Sequence, residues 1–184
     1  LCMDNSLPIV VFDLMGDGGP PLLHGLPPII DPGIRTLILG SFPSPASLAA
    51  QQYYAHARNQ FWRLLSALLG EALVELDYPR RKSRLLASGI GVWDVYARCR
   101  RSGALDSAIE AGETNDFSRL GELAPQLQHI AFNGQAAGRF APWFAARGFT
   151  AAILPSSSPA YTLAFEKKLA RWATAGIGSA TRSA

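Results

Sequence analysis

The 184-residue chain has few of the groups that usually mark a metal or redox site. It holds two cysteines, Cys2 and Cys99, and three histidines. Two thiols cannot furnish an all-cysteine zinc or iron–sulfur site, and they can form at most one disulfide. No apolar run approaches the ~18 residues of a membrane span. No Lys/Arg-rich start leads into an apolar stretch with a small-residue cleavage site, so no secretion signal is expected and a reducing cytoplasm is the default compartment. Charged residues are only 17% of the chain and sum to +3, which allows a polyanionic partner without demanding one. There is no internal repeat, no low-complexity run and no Gly-x-Ser-x-Gly turn, and the last absence argues against a serine hydrolase. The chain opens on Leu1 rather than Met, as expected of a fragment, a processed form or an expression product.

The sequence does have core-forming residues and turns. Hydrophobic residues are 48%, which argues for a globular fold, and 17 glycines with 13 prolines argue for many loops. Residues 1–21 read as an extension, with the apolar run Ile9–Phe12 an optional edge strand before a Gly/Pro cluster. A working domain is expected over 22–175 and a flexible tail over 176–184. Short apolar runs predict strands at Thr36–Leu39, Gly89–Val95, Ile130–Phe132 and Phe149–Leu154. Helical spacing predicts helices at Phe61–Leu69, Tyr78–Leu86, Phe117–Leu127, from Gly134 to about Arg147, and at Pro159–Ala173, with a helical turn over Ala46–Gln52. Asn115 is positioned to cap the third of these. Alternating strands and helices predict a three-layer α/β/α fold around a central four-stranded parallel sheet. Ligands bind such sheets at the carboxyl ends of the strands. Those ends are Gly40–Ser44, Trp93–Val95, Asn133-Gly134 and Leu154–Ser158.

The densest segment is Gly40–Trp62, GSFPSPASLAAQQYYAHARNQFW. Aromatics beside polar amides, just after a strand, suit a pocket for a flat heteroaromatic ring. Phe61 and Trp62 also fit the start of a buried helix. The stretch Leu37–Ser44, with Gln52–His56 and Arg58–Trp62, resembles the uracil-DNA glycosylase superfamily, nearest its hypoxanthine (deoxyinosine) branch. Mismatch-specific uracil/thymine glycosylases carry a similar aromatic-Ala-His-x-x-Asn-x-Phe-Trp segment. The resemblance continues through Gly91–Val95, Leu105–Ile109, Phe132–Gly134 and Leu154–Ala160, and covers about residues 24–172.

The resemblance implies a monofunctional DNA glycosylase that flips a deaminated nucleotide out of DNA and hydrolyses its N-glycosidic bond, with no metal or cofactor. Hypoxanthine is the expected base. Uracil or thymine opposite guanine is the alternative, and a non-catalytic nucleic-acid or nucleotide-binding module on the same fold is another. No Lys lies in the matched pocket motifs, which argues against a Schiff-base lyase. Phe42 stands where several superfamily members place an Asp or Asn that positions water, and a phenyl ring cannot do that. Asn59 is then the catalytic amide, or it caps the helix at Phe61. Tyr54 aligns with the aromatic that stacks on the flipped base. Asp94 aligns with an amide that reads the base edge, and as a carboxylate it either accepts the N1–H of hypoxanthine or caps a loop. His56 contacts base or phosphate, or bonds within its loop. Ser41 and Phe42 offer backbone N–H groups to a base carbonyl. The implied DNA-facing set is Ser44, Arg98, Arg101, Ser156, Ser157, Ser158, Pro159 and Tyr161. Ser158 replaces the usual apolar wedge, leaving Pro159, Ala160 or Tyr161 for that task. The expected partner is DNA bearing a deaminated base, the expected state is a monomer, and no membrane association is expected.

Overall fold

The computed structural model describes residues 19–177. Its centre is strand β2 (Thr36–Gly40), whose five residues are all buried. Strand β3 (Ile90–Asp94) pairs with it on one side and β6 (His129–Asn133) on the other, with β7 (Thr150–Leu154) outermost beyond β6. All three pairings are parallel. Strands covered on both faces need continuous apolar runs rather than alternation, which is how TLIL and IGVW read.

Helices cover both faces, as the expected three-layer fold requires. Helix α2 (Phe61–Leu69) packs against α7 (Phe165–Thr174), with the Phe61 and Trp172 rings edge to face at 6.0 Å. Helix α6 (Ala141–Ala145) packs on β6 through Phe144 and Phe132, 5.6 Å apart. Helix α3 (Tyr78–Ala87) lies against β3 and is capped by Asp77, whose carboxylate accepts the Arg80 N–H.

A second sheet was not expected. Strands β1 (Leu22–His24), β4 (Tyr96–Arg101) and β5 (Ile109–Thr114) form an antiparallel sheet in the order β1-β4-β5. Only Val95 separates β4 from β3. The alternation in β4 was hidden because one of its two buried side chains is an arginine, Arg101, beside Cys99 two positions earlier. Arg98 and Arg101, expected to face DNA, are therefore part of a strand.

Three expected helices are shorter than their sequence patterns. The one over Phe117–Leu127 shrinks to α4 (Leu120–Leu123), because Pro125 disfavours helical backbone at Ala124. Asn115 does not cap it. Its Nδ2 donates to the Asp94 carbonyl at 2.9 Å. The helix expected up to Arg147 is two pieces, α5 (Gln135–Gly138) and α6, with Pro142 opening the second. The last helix starts at Phe165, not Pro159, because serines satisfy the preceding backbone locally. A short α1 (Pro45–Ala50) begins at Ser44, whose Oγ accepts the Ser47 N–H. The run Ile9–Phe12 lies outside the described residues, as do residues 178–184. Packing reaches slightly past both expected domain bounds: Arg100 donates to the Pro20 carbonyl, and Ile177 is buried.

Candidate active site

The carboxyl ends of β2, β3 and β6, and the loop leaving β7, converge on one cavity of about 290 Å³. This is the edge at which parallel α/β sheets bind ligands. Its wall includes Ser41, Phe42, Ser44, Tyr54, Asn59, Asp94, Ser156, Ser157, Ser158 and Tyr161 from the expected set. His56, Arg98, Arg101 and Pro159 do not line it.

Asn59 sits just before α2. Its Oδ1 accepts the Phe61 N–H at 3.0 Å, so it does act as a cap. That bond turns the other end of the amide loose, and among the described residues no protein acceptor takes its Nδ2–H. The half-buried side chain therefore brings a free donor to the cavity wall. The capping and functional readings of Asn59 describe one geometry.

Tyr54 holds a left-handed backbone, φ +56°, which is uncommon for a non-glycine residue and recurs where a site needs a fixed side chain. Its ring stacks on Phe61 at 3.7 Å with 16° between planes. Phe61 is wholly buried, so the core backs the Tyr54 ring against the cavity. The loop is pinned by neighbours. The Tyr53 hydroxyl donates to the Leu26 carbonyl, the Tyr53 N–H donates to the Tyr78 hydroxyl, and the Trp62 indole donates to the Tyr53 carbonyl. Burial, aided by the Asp94 charge, raises the pKa of both Tyr53 and Tyr54. Both phenols stay protonated across the working range.

Asp94 closes the floor. It faces Gly40 across the β2–β3 pair, and a Cβ at Gly40 would collide with Asp94 Oδ1. The residue is 3% exposed, and its Oδ2 is buried without a hydrogen-bond partner. Burial and the nearby Asp106 charge push its pKa up to about 8, against the pull of Arg101. The expected carboxylate is thus a carboxylic acid in much of the population at neutral pH.

Asp106 and Asn133 are among the cavity residues not singled out from the sequence. Asp106 accepts from the Ser41 hydroxyl, and Asn133 clamps Ser157: Nδ2 donates to Ser157 Oγ and Oδ1 accepts the Ser157 N–H, each at 2.8 Å. Both lie inside segments that carried the resemblance. Asn133 also had the positional signal of a strand end.

Two expected phosphate contacts, Arg101 and Ser157, need correction. Arg101 is 2% exposed, donates to the Pro43 carbonyl and lies 5.2 Å from the Phe42 ring, so it braces the Ser41–Ser44 turn from within and cannot meet a phosphate. Ser157 is fully buried by the Asn133 clamp and is likewise no surface donor. His56 accepts the Arg58 N–H inside its own loop. Arg98 is exposed but paired with Glu113. Among the described residues no three His, Cys, Asp or Glu side chains gather as a metal-binding group. No helix among them is long and apolar enough to cross a membrane.

Comparison with known proteins matches this fold. The family model "Uracil DNA glycosylase superfamily" matches residues 27–177. The chain belongs to the uracil DNA glycosylase superfamily. It is 40% identical over 152 residues to a hypoxanthine DNA glycosylase of Methanosarcina barkeri, covering 83% of this chain and 96% of that one. A hypoxanthine DNA glycosylase of Methanosarcina acetivorans is 40% identical over 149 residues, covering 81% and 94%. The fold also resembles the solution NMR structure of a candidate uracil DNA glycosylase from Methanosarcina acetivorans, with TM-score 0.77, 38% identity and 83% and 95% coverage. The expected three-layer architecture and DNA glycosylase class stand on these matches.

Proposed function

We propose that this superfamily member excises hypoxanthine from deoxyinosine in DNA. The observation that carries the reading is Asn59: an amide fixed through its oxygen, with its donor end free, beside an aromatic ring braced by the core. The relatives named as hypoxanthine DNA glycosylases support the choice of base. The cavity, about 290 Å³, lies at the small end of ligand sites and suits a single base extruded from the stack.

In this reading the base lies along Tyr54 with its glycosidic bond toward Asn59. Phe42 cannot activate water, and Asn59 is no strong base, so departure of the base leads and water follows. The bond between C1′ and N9 lengthens, the sugar becomes oxocarbenium-like beside the DNA phosphates, and Asn59 Nδ2 donates to the purine as negative charge builds on it. Water then adds to C1′, leaving an abasic deoxyribose and free hypoxanthine. Ser44, Ser156 and Ser158 line the mouth and present short polar groups for phosphate.

An incision assay on oligonucleotides bearing hypoxanthine, uracil, xanthine or a G:T mismatch tests this. Hypoxanthine should give the most abasic product, and Asn59→Ala should lower its excision by about 10²–10³-fold, the loss typical of one preorganised donor. Preference for uracil would reassign the substrate. No abasic product from any duplex would leave only a binding module.

A further inference from the structure

We propose that Asp94 takes the flipped base as a neutral carboxylic acid, donating from one oxygen and accepting at the other against the lactam edge of the base. The proposal rests on the hypoxanthine reading and names the group that recognises that base.

The geometry comes first. Asp94 ends β3, and its main chain is already occupied: its carbonyl accepts from Asn115 Nδ2. The carboxyl is left to face the cavity it lines, 3% exposed, lying across Gly40 where any side chain would displace it. Its Oδ2 is buried without a hydrogen-bond partner. A buried polar atom without a partner is costly, and this one belongs to a residue of the cavity wall, where a ligand that reaches it would complete it.

The surroundings decide its charge. From the loop after α1 come Tyr53 and Tyr54, and from α3 comes Tyr78. Burial holds all three phenols protonated. The Asp106 carboxyl, on the turn before β5, repels a negative charge, and Arg101 on β4 attracts one. Arg101 is committed to the Pro43 carbonyl and the Phe42 ring, and Asn133 at the end of β6 is neutral and committed to Ser157. Burial and Asp106 prevail, consistent with a pKa of about 8.

The chemistry then separates the two forms. A carboxylate offers only acceptors, so it meets the N1–H of hypoxanthine but repels the adjacent O6. The neutral acid offers a donor and an acceptor side by side, as an amide does, and satisfies N1–H and O6 together. Uracil carries the same pairing of N–H and C=O, so the recognised class is the lactam created by deamination.

The test compares pH profiles of single-turnover hypoxanthine excision. Wild-type excision should fall about ten-fold per pH unit above the acid's midpoint. Asp94→Asn, which carries a donor and an acceptor at every pH, should hold its rate through that range and exceed Asp94→Ala throughout. Ionisation of the base would bend the wild-type and Asp94→Asn profiles alike, and identical profiles overturn the proposal. A wild-type rate that rises over the same range also overturns it. A second readout needs no substrate. The carbon-13 carboxyl signal of Asp94 in the full chain should report the acid at pH 7, and a carboxylate there refutes it. Stability provides the same check. The acid's pKa is raised on folding, so its contribution is complete below the unfolded value of 3.8 and is lost as pH climbs to about 8. The Tm advantage of Asp94→Asn should therefore open between those limits and stay constant above them. If wild type excises nothing at any pH, the hypoxanthine reading fails, and the two substrate-free measurements judge the acid alone.

Discussion

The two loops that close the cavity are built differently. Residues 41–60 are tied to the rest of the fold at many points. Tyr53 is held by Leu26, Tyr78 and Trp62, and Tyr54 stacks on a core phenylalanine. Residues 155–161 are fixed mainly at their start, where Trp172 donates to the Pro155 carbonyl and Asn133 clamps Ser157. Past Ser157 the loop bonds mainly to itself: Ser158 N–H to Ser156 Oγ, Ala160 N–H to Ser158 Oγ, Tyr161 N–H to the Ser158 carbonyl. Beneath it lies Lys168, buried, its pKa lowered by desolvation, 3.5 Å from the Ser158 carbonyl. The first loop has the rigidity that positioning a reacting base requires. The second can shift against a DNA backbone without disturbing the core.

The contrast is broken most severely at Phe61. Phe61→Ala removes the fully buried ring that touches Tyr54, Trp62 and Trp172, and should cost about 3–5 kcal/mol in denaturant unfolding. Phe61→Leu refills most of the volume without the stack. It should recover much of the stability but not the excision rate, because Tyr54 loses its flat backing. Equal recovery of both would show that the ring serves packing alone.

Next in size is Ser157→Ala. The Asn133 amide would lose the hydroxyl it donates to in a buried place, at about 1–3 kcal/mol. The second loop should then loosen at its root, and hydrogen exchange at the N–H groups of Gln60 and Ser157 should speed up together, since Gln60 donates to the Ser157 carbonyl. Faster exchange at Ser157 alone would mean that the loops are independent.

Parts of this arrangement were legible in the sequence and parts were not. Strands β2, β3 and β6 were, because burial on both faces writes itself as unbroken apolar runs, and the outermost strand β7 keeps an apolar run although it is only partly buried. Helix α2 matched its expected span to the residue, through the spacing of Phe61, Leu64, Leu65, Leu68 and Leu69. The antiparallel sheet was hidden because β4 buries an arginine where a hydrophobe would have shown the alternation. In the site, residue types survived better than their states. Asp94 was readable as a base-edge residue, but its protonation depends on burial and on Asp106, twelve positions away in sequence and adjacent only in the fold. Arg101 and Ser157 looked like phosphate contacts because composition records a polar group and not its depth.

The smallest expected effect lies at the exposed end of the second loop. Leu105 and Tyr161 are the large exposed apolar side chains that line the cavity, at 59% and 43% exposure. Neither supports the core, so Leu105→Ala and Tyr161→Ala should leave Tm essentially unchanged. Extruding a base costs a few kcal/mol of stacking, and an apolar side chain entering the vacancy offsets part of it. Loss of that side chain should lower kcat/KM on duplex deoxyinosine on the order of ten-fold, about 1.4 kcal/mol, while excision from single-stranded DNA, which has no stack to reseal, stays the same. The larger duplex-specific loss identifies the wedge. If it falls on Tyr161, the self-bonded loop meets the helix directly, with Lys168 5.4 Å behind its ring. If it falls on Leu105, the wedge comes from the chain between β4 and β5, and the sheet absent from the sequence reading is part of the DNA-binding apparatus.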